Sequence, residues 1–195
     1  MRVSREQADK NRQGVIDAAS QLFRERGFDG IGVIELMQGA GLTKGAFYKQ
    51  FKSKEDLTAL ASTRAMELSL ARWTSLVGTD AKTSLEALIG LYLSEEHREE
   101  MAAGCPLVAL GADAARQGHE VKESFEAGVK THLALLNERV LSGQDDESLS
   151  KSSAIMAIMV GALTISRMVN DDRLSKGFLT AAADQVRSIA ASSMQ

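Results

Sequence analysis

Cysteine, proline and aromatic residues are scarce in this 195-residue chain, and each scarcity excludes something. A single cysteine, Cys105, rules out an intrachain disulfide and fits a reducing compartment. One proline and sixteen glycines offer too little turn chemistry for a β-rich fold. An all-α protein is expected instead, built from Ala, Leu, Met, Glu and Arg. The N-terminus, MRVSREQADKNRQG, lacks the apolar core of a signal peptide. The most apolar run, AIMAIMVGAL at 154–163, is ten residues long and too short to span a bilayer. A cytoplasmic protein is expected.

Acid is also missing from one place. No carboxylate lies between Glu35 and Glu55, although the whole chain carries a net charge of −3. Residues 1–54 hold ten basic and six acidic side chains, whereas the remainder holds 13 basic and 20 acidic ones. A basic head on an acidic body implies an anionic partner for the head. Hydrophobic residues make up 44% of the chain, ordinary for a globular protein.

Helical periodicity runs throughout. Val15, Ala18, Ala19, Leu22 and Phe23 form one stripe of a helix over 5–26, closed by Gly27. Val33, Leu36 and Met37 mark a short helix over 33–39, whose cap position, Gly32, is a weak one. After the break at 39–42, Thr43 caps a second short helix reaching Lys49, with Phe47 and Phe51 facing inward. Ser53 and Asp56 approximate a capping box for a long helix reaching about Val77. Body helices are expected at 83–100, 105–115, 119–141, 147–169 and 174–192.

Two short helices joined by a glycine-bearing turn, with a helix on either side, make a helix-turn-helix. In GLTKGAFYKQFKSKEDL, residues 41–57, each feature suits DNA. Thr43 places a hydroxyl and unbonded N–H groups at a helix start, where phosphate binds. Lys44 projects from the first turn, where recognition helices meet base edges. Gly45 and Ala46 are small enough for deep entry into the major groove. Tyr48 and Lys49 reach the backbone, and Lys52 and Lys54 flank it.

Residues 12–60 resemble the N-terminal domain of the TetR family of bacterial transcriptional regulators. The resemblance is carried by Ile16, Ala19, Leu22-Phe23, Gly27-Phe28, the run Ala40 to Gly45, Phe47-Tyr48, Phe51 to Glu55, and Leu57. It implies a DNA-binding domain at 1–53, with the helix-turn-helix at about 32–51. A ligand-binding and dimerisation body then covers 54–195. It further implies a homodimer whose interface comes from the last two long helices. A small molecule bound in the body would release the operator DNA. Two positions depart from the family pattern. Ile31-Gly32 stands where a hydroxyl pair is usual, and Gln50 where histidine often precedes the phenylalanine.

The segment SAIMAIMVGALTISRMV, residues 153–169, is apolar nearly all round. Its residues Ile155, Met159, Ala162, Ser166 and Val169 are expected to face a partner chain, and Met156 and Leu163 the body. A central core helix of a monomer is the alternative. Trp73, Tyr92, Met101, Leu107, Phe125, His132, Met156 and Met159 are candidates for lining an effector pocket, with plain core packing as the competing role. Cys105 opens a helix at Gly104-Cys105-Pro106, a position that favours the thiolate, so redox or electrophile sensing competes with simple packing. His97, His119 and His132 lack neighbours at metal-ligand spacing, and no metal or cofactor is expected. With no nucleophile–base pairing and no phosphate loop, an enzyme ranks below a regulator. A DNA-binding protein without any ligand is a further alternative.

Overall fold

The computed structural model describes residues 4–143 and 145–192. Gln144, in the expected break at 142–145, therefore lies outside the described residues. Among the described residues every regular element is helical. They are α1 (Arg5–Arg26), α2 (Val33–Gly39), a 3-10 segment (Lys44–Lys49), α3 (Lys54–Thr74), α4 (Ala81–Tyr92), α5 (Glu95–Glu99), α6 (Pro106–Ala114), α7 (His119–Leu136), α8 (Asp146–Met168) and α9 (Asp172–Ala191). A π turn at Asn137–Leu141 follows α7 and ends at Ser142, whose φ of 54° is left-handed.

Two expected spans change. The helix at 83–100 is broken after Tyr92, because the Ser94 hydroxyl accepts from the His97 amide and starts α5 afresh. The helix at 119–141 loses its α-helical ladder at Leu136.

Packing divides the chain into two compact units. The first runs to Leu68 and takes in Cys105–Ala127; the second holds Ser69–Gly104 and Gly128 onward. The first unit is thus larger than a head ending at residue 53. Its core joins Val15, Phe23, Leu36, Met37, Phe47 and Leu57 to Leu110 and Ala114 of α6 and Val121 and Phe125 of α7. At the end of α1, Gly27 adopts a φ of 74° and its amide bonds to the Phe23 carbonyl. Phe28 then folds back edge-on against Phe23, with ring centres 5.3 Å apart. Asp113 of α6 accepts from the Phe28 amide at 3.3 Å and pairs with Arg116 at 2.6 Å.

In the second unit α8 and α9 pack along each other, burying Ile155, Met159 and Leu163 on one and Leu179, Ala182 and Val186 on the other. By length and composition α8 is apolar enough to cross a membrane, more so than its ten-residue run suggests. Its inward residues are buried within the chain, as in the core helix of a globular unit. Arg167 of α8 closes the end of α5, donating to the carbonyls of His97, Arg98 and Glu100 at 2.6–3.0 Å. Arg98 in turn bonds Asp172 and Ser175 of α9.

Four rings meet edge-on in this unit: His132 on Trp73 at 4.9 Å, Trp73 on Tyr92 at 5.7 Å, and Tyr92 on His97 at 4.9 Å. A carbonyl can only accept, so His132 Nδ1–H donates to Gly128 and His97 Nδ1–H to Tyr92. Neutral His132 then accepts from the Ser69 hydroxyl through Nε2, at 3.1 Å. Burial pushes both imidazoles below the usual histidine range; at His97 the charges of Arg167 and Arg72 add to the effect. The unfolded chain takes up these protons near its ordinary pKa, about 6.5, while the folded chain refuses them. Stability is therefore fully present above about pH 6.5 and is lost as pH falls below it, by up to about 1.4 kcal/mol per pH unit for each histidine. Thermal melts from pH 8 to 5 should show this fall. His132→Gln should flatten it, and an unchanged slope would reject the assignment.

Candidate nucleic-acid interface

The reader is positioned by close packing beneath it. Gly39 lies so near α1 that an added methyl would come within 2.7 Å of Leu22. The Gly41 amide bonds to the Gln38 carbonyl and the Leu42 amide to that of Met37, a Schellman closure with Gly41 at φ 70°. Phe47 and Phe51 are buried and anchor the next segment, while Arg12 of α1 lies 5.3 Å over the Phe51 ring.

That segment is 3-10 rather than the expected α-helix. The Ala46 amide bonds to the Thr43 carbonyl and the Gln50 amide to that of Phe47, both across three residues. Gly45, a poor helix former, sits inside it. Thr43 occupies the cap position, but its side chain makes no capping bond. Its exposed hydroxyl is therefore available to a ligand. Lys44, Gly45 and Lys49 are exposed, Ala46 is half-buried, and Tyr48 is 71% exposed while its ring meets Phe47 edge-on. Lys44, Lys49 and Lys52 form no ion pair among the described residues. The segment and its cap thus present cations, the Thr43 hydroxyl and the Tyr48 ring with its phenolic hydroxyl, with no acid among them.

Lys54 does not join them. Its ammonium donates to the Phe28 carbonyl at 2.6 Å, which ties the start of α3 to the loop after α1. This bond engages one of the three ammonium donors at Lys54, where a phosphate contact was expected. The two lysines should separate by experiment. Lys52→Ala should reduce the salt slope of DNA binding by about 0.9 with unchanged stability, whereas Lys54→Ala should lower stability by about 1–2 kcal/mol. Equal effects in both assays would overturn the distinction.

Two further details were not expected. Glu35 reaches back to accept from the Gly32 amide at 3.1 Å, so α2 is capped after all, from its third residue. Its other oxygen pairs with Arg26 at 3.1 Å. Gln50 donates weakly to the Ala46 carbonyl at 3.4 Å, and its own carbonyl oxygen is buried without a hydrogen bond. A G-x-x-E spacing before an apolar run was the signal for Glu35; nothing local signalled Arg12 or Asp113.

The remaining candidates scatter. Trp73, Tyr92 and His132 come together in the ring cluster, and Met156 and Met159 are buried in α8, all within the second unit. Leu107 and Phe125 belong instead to the core of the first unit, and Met101 is exposed. The face of α8 expected to meet a partner is turned inward. Ile155, Met159, Ala162 and Ser166 are buried within the chain and have no surface to offer, while Val169 is half-buried. The large apolar residues left outside on α8 are Leu149, Ile165 and Met168, the last 74% exposed, and Leu174 follows at the start of α9. Beside Leu174 an open groove of about 480 Å³ is lined by Asp171, Arg173, Gly177, Phe178 and Ala181. Cys105 is buried at the cap of α6.

Residues 15–60 match the N-terminal model of the bacterial regulatory proteins of the tetR family, and residues 81–182, over half the chain, match a tetracyclin repressor-like C-terminal domain. The chain belongs to the TetR family. It is a DNA-binding transcription regulator. Among curated relatives, the transcriptional repressor NemR of Escherichia coli K12 is 25% identical over 161 residues, covering 77% of this chain and 81% of NemR. The regulator AcrR of Shigella flexneri is 31% identical over 104 residues, about half of each chain. The reduced form of E. coli NemR superposes on this TetR-family chain with a TM-score of 0.75, at 22% identity and over 92% of this chain and 96% of the other. A Cytophaga hutchinsonii regulator of the family gives 0.76 at 19% identity, covering 96% and 98%.

Proposed function

We propose that this TetR-family chain is a cytoplasmic homodimeric repressor that leaves its operator when a small, mainly apolar molecule enters the second unit. Thr43, Lys44, Gly45, Ala46, Tyr48, Lys49 and Lys52 are the operator contacts in this reading. Lys44 and Tyr48 reach base edges and backbone, and Lys52 reaches phosphate. Leu149, Ile165, Met168 and Leu174 supply the dimer face, because large apolar side chains left outside a folded chain favour burial against a second copy.

The observation that carries effector binding is the ring cluster. Trp73 and Tyr92 lie beside a part-buried hydroxyl–imidazole pair, Ser69 and His132, and so combine apolar walls with a polar handle. Trp73 is the only tryptophan, so its emission reports on this place alone. A compound library would be titrated against protein bound to labelled operator. The expected result is quenching of Trp73 and release of operator over the same concentration range. Quenching with the operator retained would defeat the reading.

A second reading, control by oxidation or alkylation of Cys105, is favoured by one observation. The only thiol of the chain caps α6, the helix whose Asp113 holds the loop after α1. That a relative is known in a reduced form agrees with it. Cys105→Ser should then bind operator normally and keep it in the presence of peroxide.

A further inference from the structure

We infer that Glu35 is a specificity-determining residue which acts by repulsion, lowering the affinity of the head for DNA of any sequence. The inference rests on the operator-binding reading and deepens it. Four observations lead to it. The acid-free run that contains the reader begins immediately after Glu35. Glu35 lies on α2, the first helix of the helix-turn-helix, which crosses the DNA backbone in this motif. Its carboxylate is about half exposed and 3.1 Å from Arg26, so it neutralises a cation of the same surface. The flanking positions offer phosphate nothing in compensation, since Gly32 has no hydroxyl and Ile34 is apolar and 49% exposed.

The physics is a competition between two charge states. Phosphate contacts bind all sequences alike and add to specific and non-specific affinity together. A carboxylate facing the backbone, with Arg26 paired to it, takes one cation out of that sum and adds like-charge repulsion. On random DNA no base contact fixes the register, so the carboxylate meets phosphate in many of the positions sampled, whereas at the operator base contacts hold one register; binding to random DNA therefore weakens more. Rejection of this kind raises the ratio between the two affinities without any new attractive contact.

Glu35→Gln separates charge from fold. The glutamine carbonyl can still accept from the Gly32 amide, so the start of α2 stays capped. Binding of the full chain to its selected operator and to a scrambled duplex would be measured by anisotropy across a salt series. Arg26→Gln and the double variant would be measured beside it. For Glu35→Gln the expected result is a slope of log K against log salt steeper by about 0.9 on scrambled DNA. One added phosphate contact of that slope corresponds to roughly eightfold tighter binding per decade of salt dilution. The ratio of operator to scrambled affinity should fall, and adding Arg26→Gln should return the slope to that of the wild type. An unchanged slope and ratio, with wild-type operator binding intact, would overturn the inference alone. So would weaker operator binding by Glu35→Gln with scrambled DNA unaffected, since Glu35 would then read a base. A wild-type chain that binds neither duplex would overturn the operator-binding reading and this inference with it.

Discussion

Phe47→Ala is expected to destabilise the first unit by about 3–5 kcal/mol and to abolish operator binding. Phe47 is fully buried, meets Phe51 at 5.5 Å between ring centres, and belongs to the core that includes Leu36, Met37 and Leu57. A 3-10 segment has strained hydrogen bonds and little stability of its own. Its position depends on the two phenylalanines below it. Removing one leaves a cavity under the reader and frees its backbone. Tyr48→Ala is the matched control. That ring is mostly exposed, so stability should change by less than about 0.5 kcal/mol while operator affinity falls. Urea denaturation and anisotropy on both variants decide the matter. A Phe47→Ala variant within about 1 kcal/mol of wild type would show that the reader is held by something else.

The second large effect is expected at Arg167. Its guanidinium is the common donor to three carbonyls at the end of α5, and a charged donor contributes about 1.5–3 kcal/mol per bond, though not additively. Arg167→Met keeps the stem and removes the donors, and should cost about 3 kcal/mol. Arg167→Lys cannot span three acceptors in a planar fork and should recover only part of this. Gly104 explains why the fork fits, since a methyl group there would come within 2.9 Å of the guanidinium. Hydrogen exchange should show the amides of α5 losing protection first. Unchanged exchange across Glu95–Glu99 in Arg167→Met would refute the capping role.

Local chemistry was legible in the sequence and tertiary partnership was not. The stripe of α1, the glycine stop at Gly27 and the helix-turn-helix followed from spacing, because each is settled by residues within one or two turns. The break between α4 and α5 had a visible signal, Ser94 followed by two glutamates, but no glycine or proline marked the end of α4, and the helical pattern ran through it. Lys54 looked like a phosphate ligand because it stands at the next helix start, beside the acid-free run. Its acceptor is a carbonyl 26 residues back. The inward face of α8 could not be chosen, since a helix apolar on all sides has no preferred direction until its neighbours are known. The same holds for Leu110, Ala114, Val121 and Phe125, whose place in the core of the first unit depends on contacts with α1–α3.

The 3-10 reader also bears on how such a protein diverges. The residues that hold it, Phe47 within it, Phe51 just after it, and Leu36 and Met37 beneath, are buried, while those it displays, Lys44, Gly45, Tyr48 and Lys49, lie on the surface. The structural and the displayed positions are separate sets. Exchanges at the displayed positions are therefore nearly neutral for folding and open to selection for a different operator. A duplicated copy of this gene could acquire a new target through a few such changes without first passing through an unfolded intermediate, which gives this head a short evolutionary path between regulatory circuits.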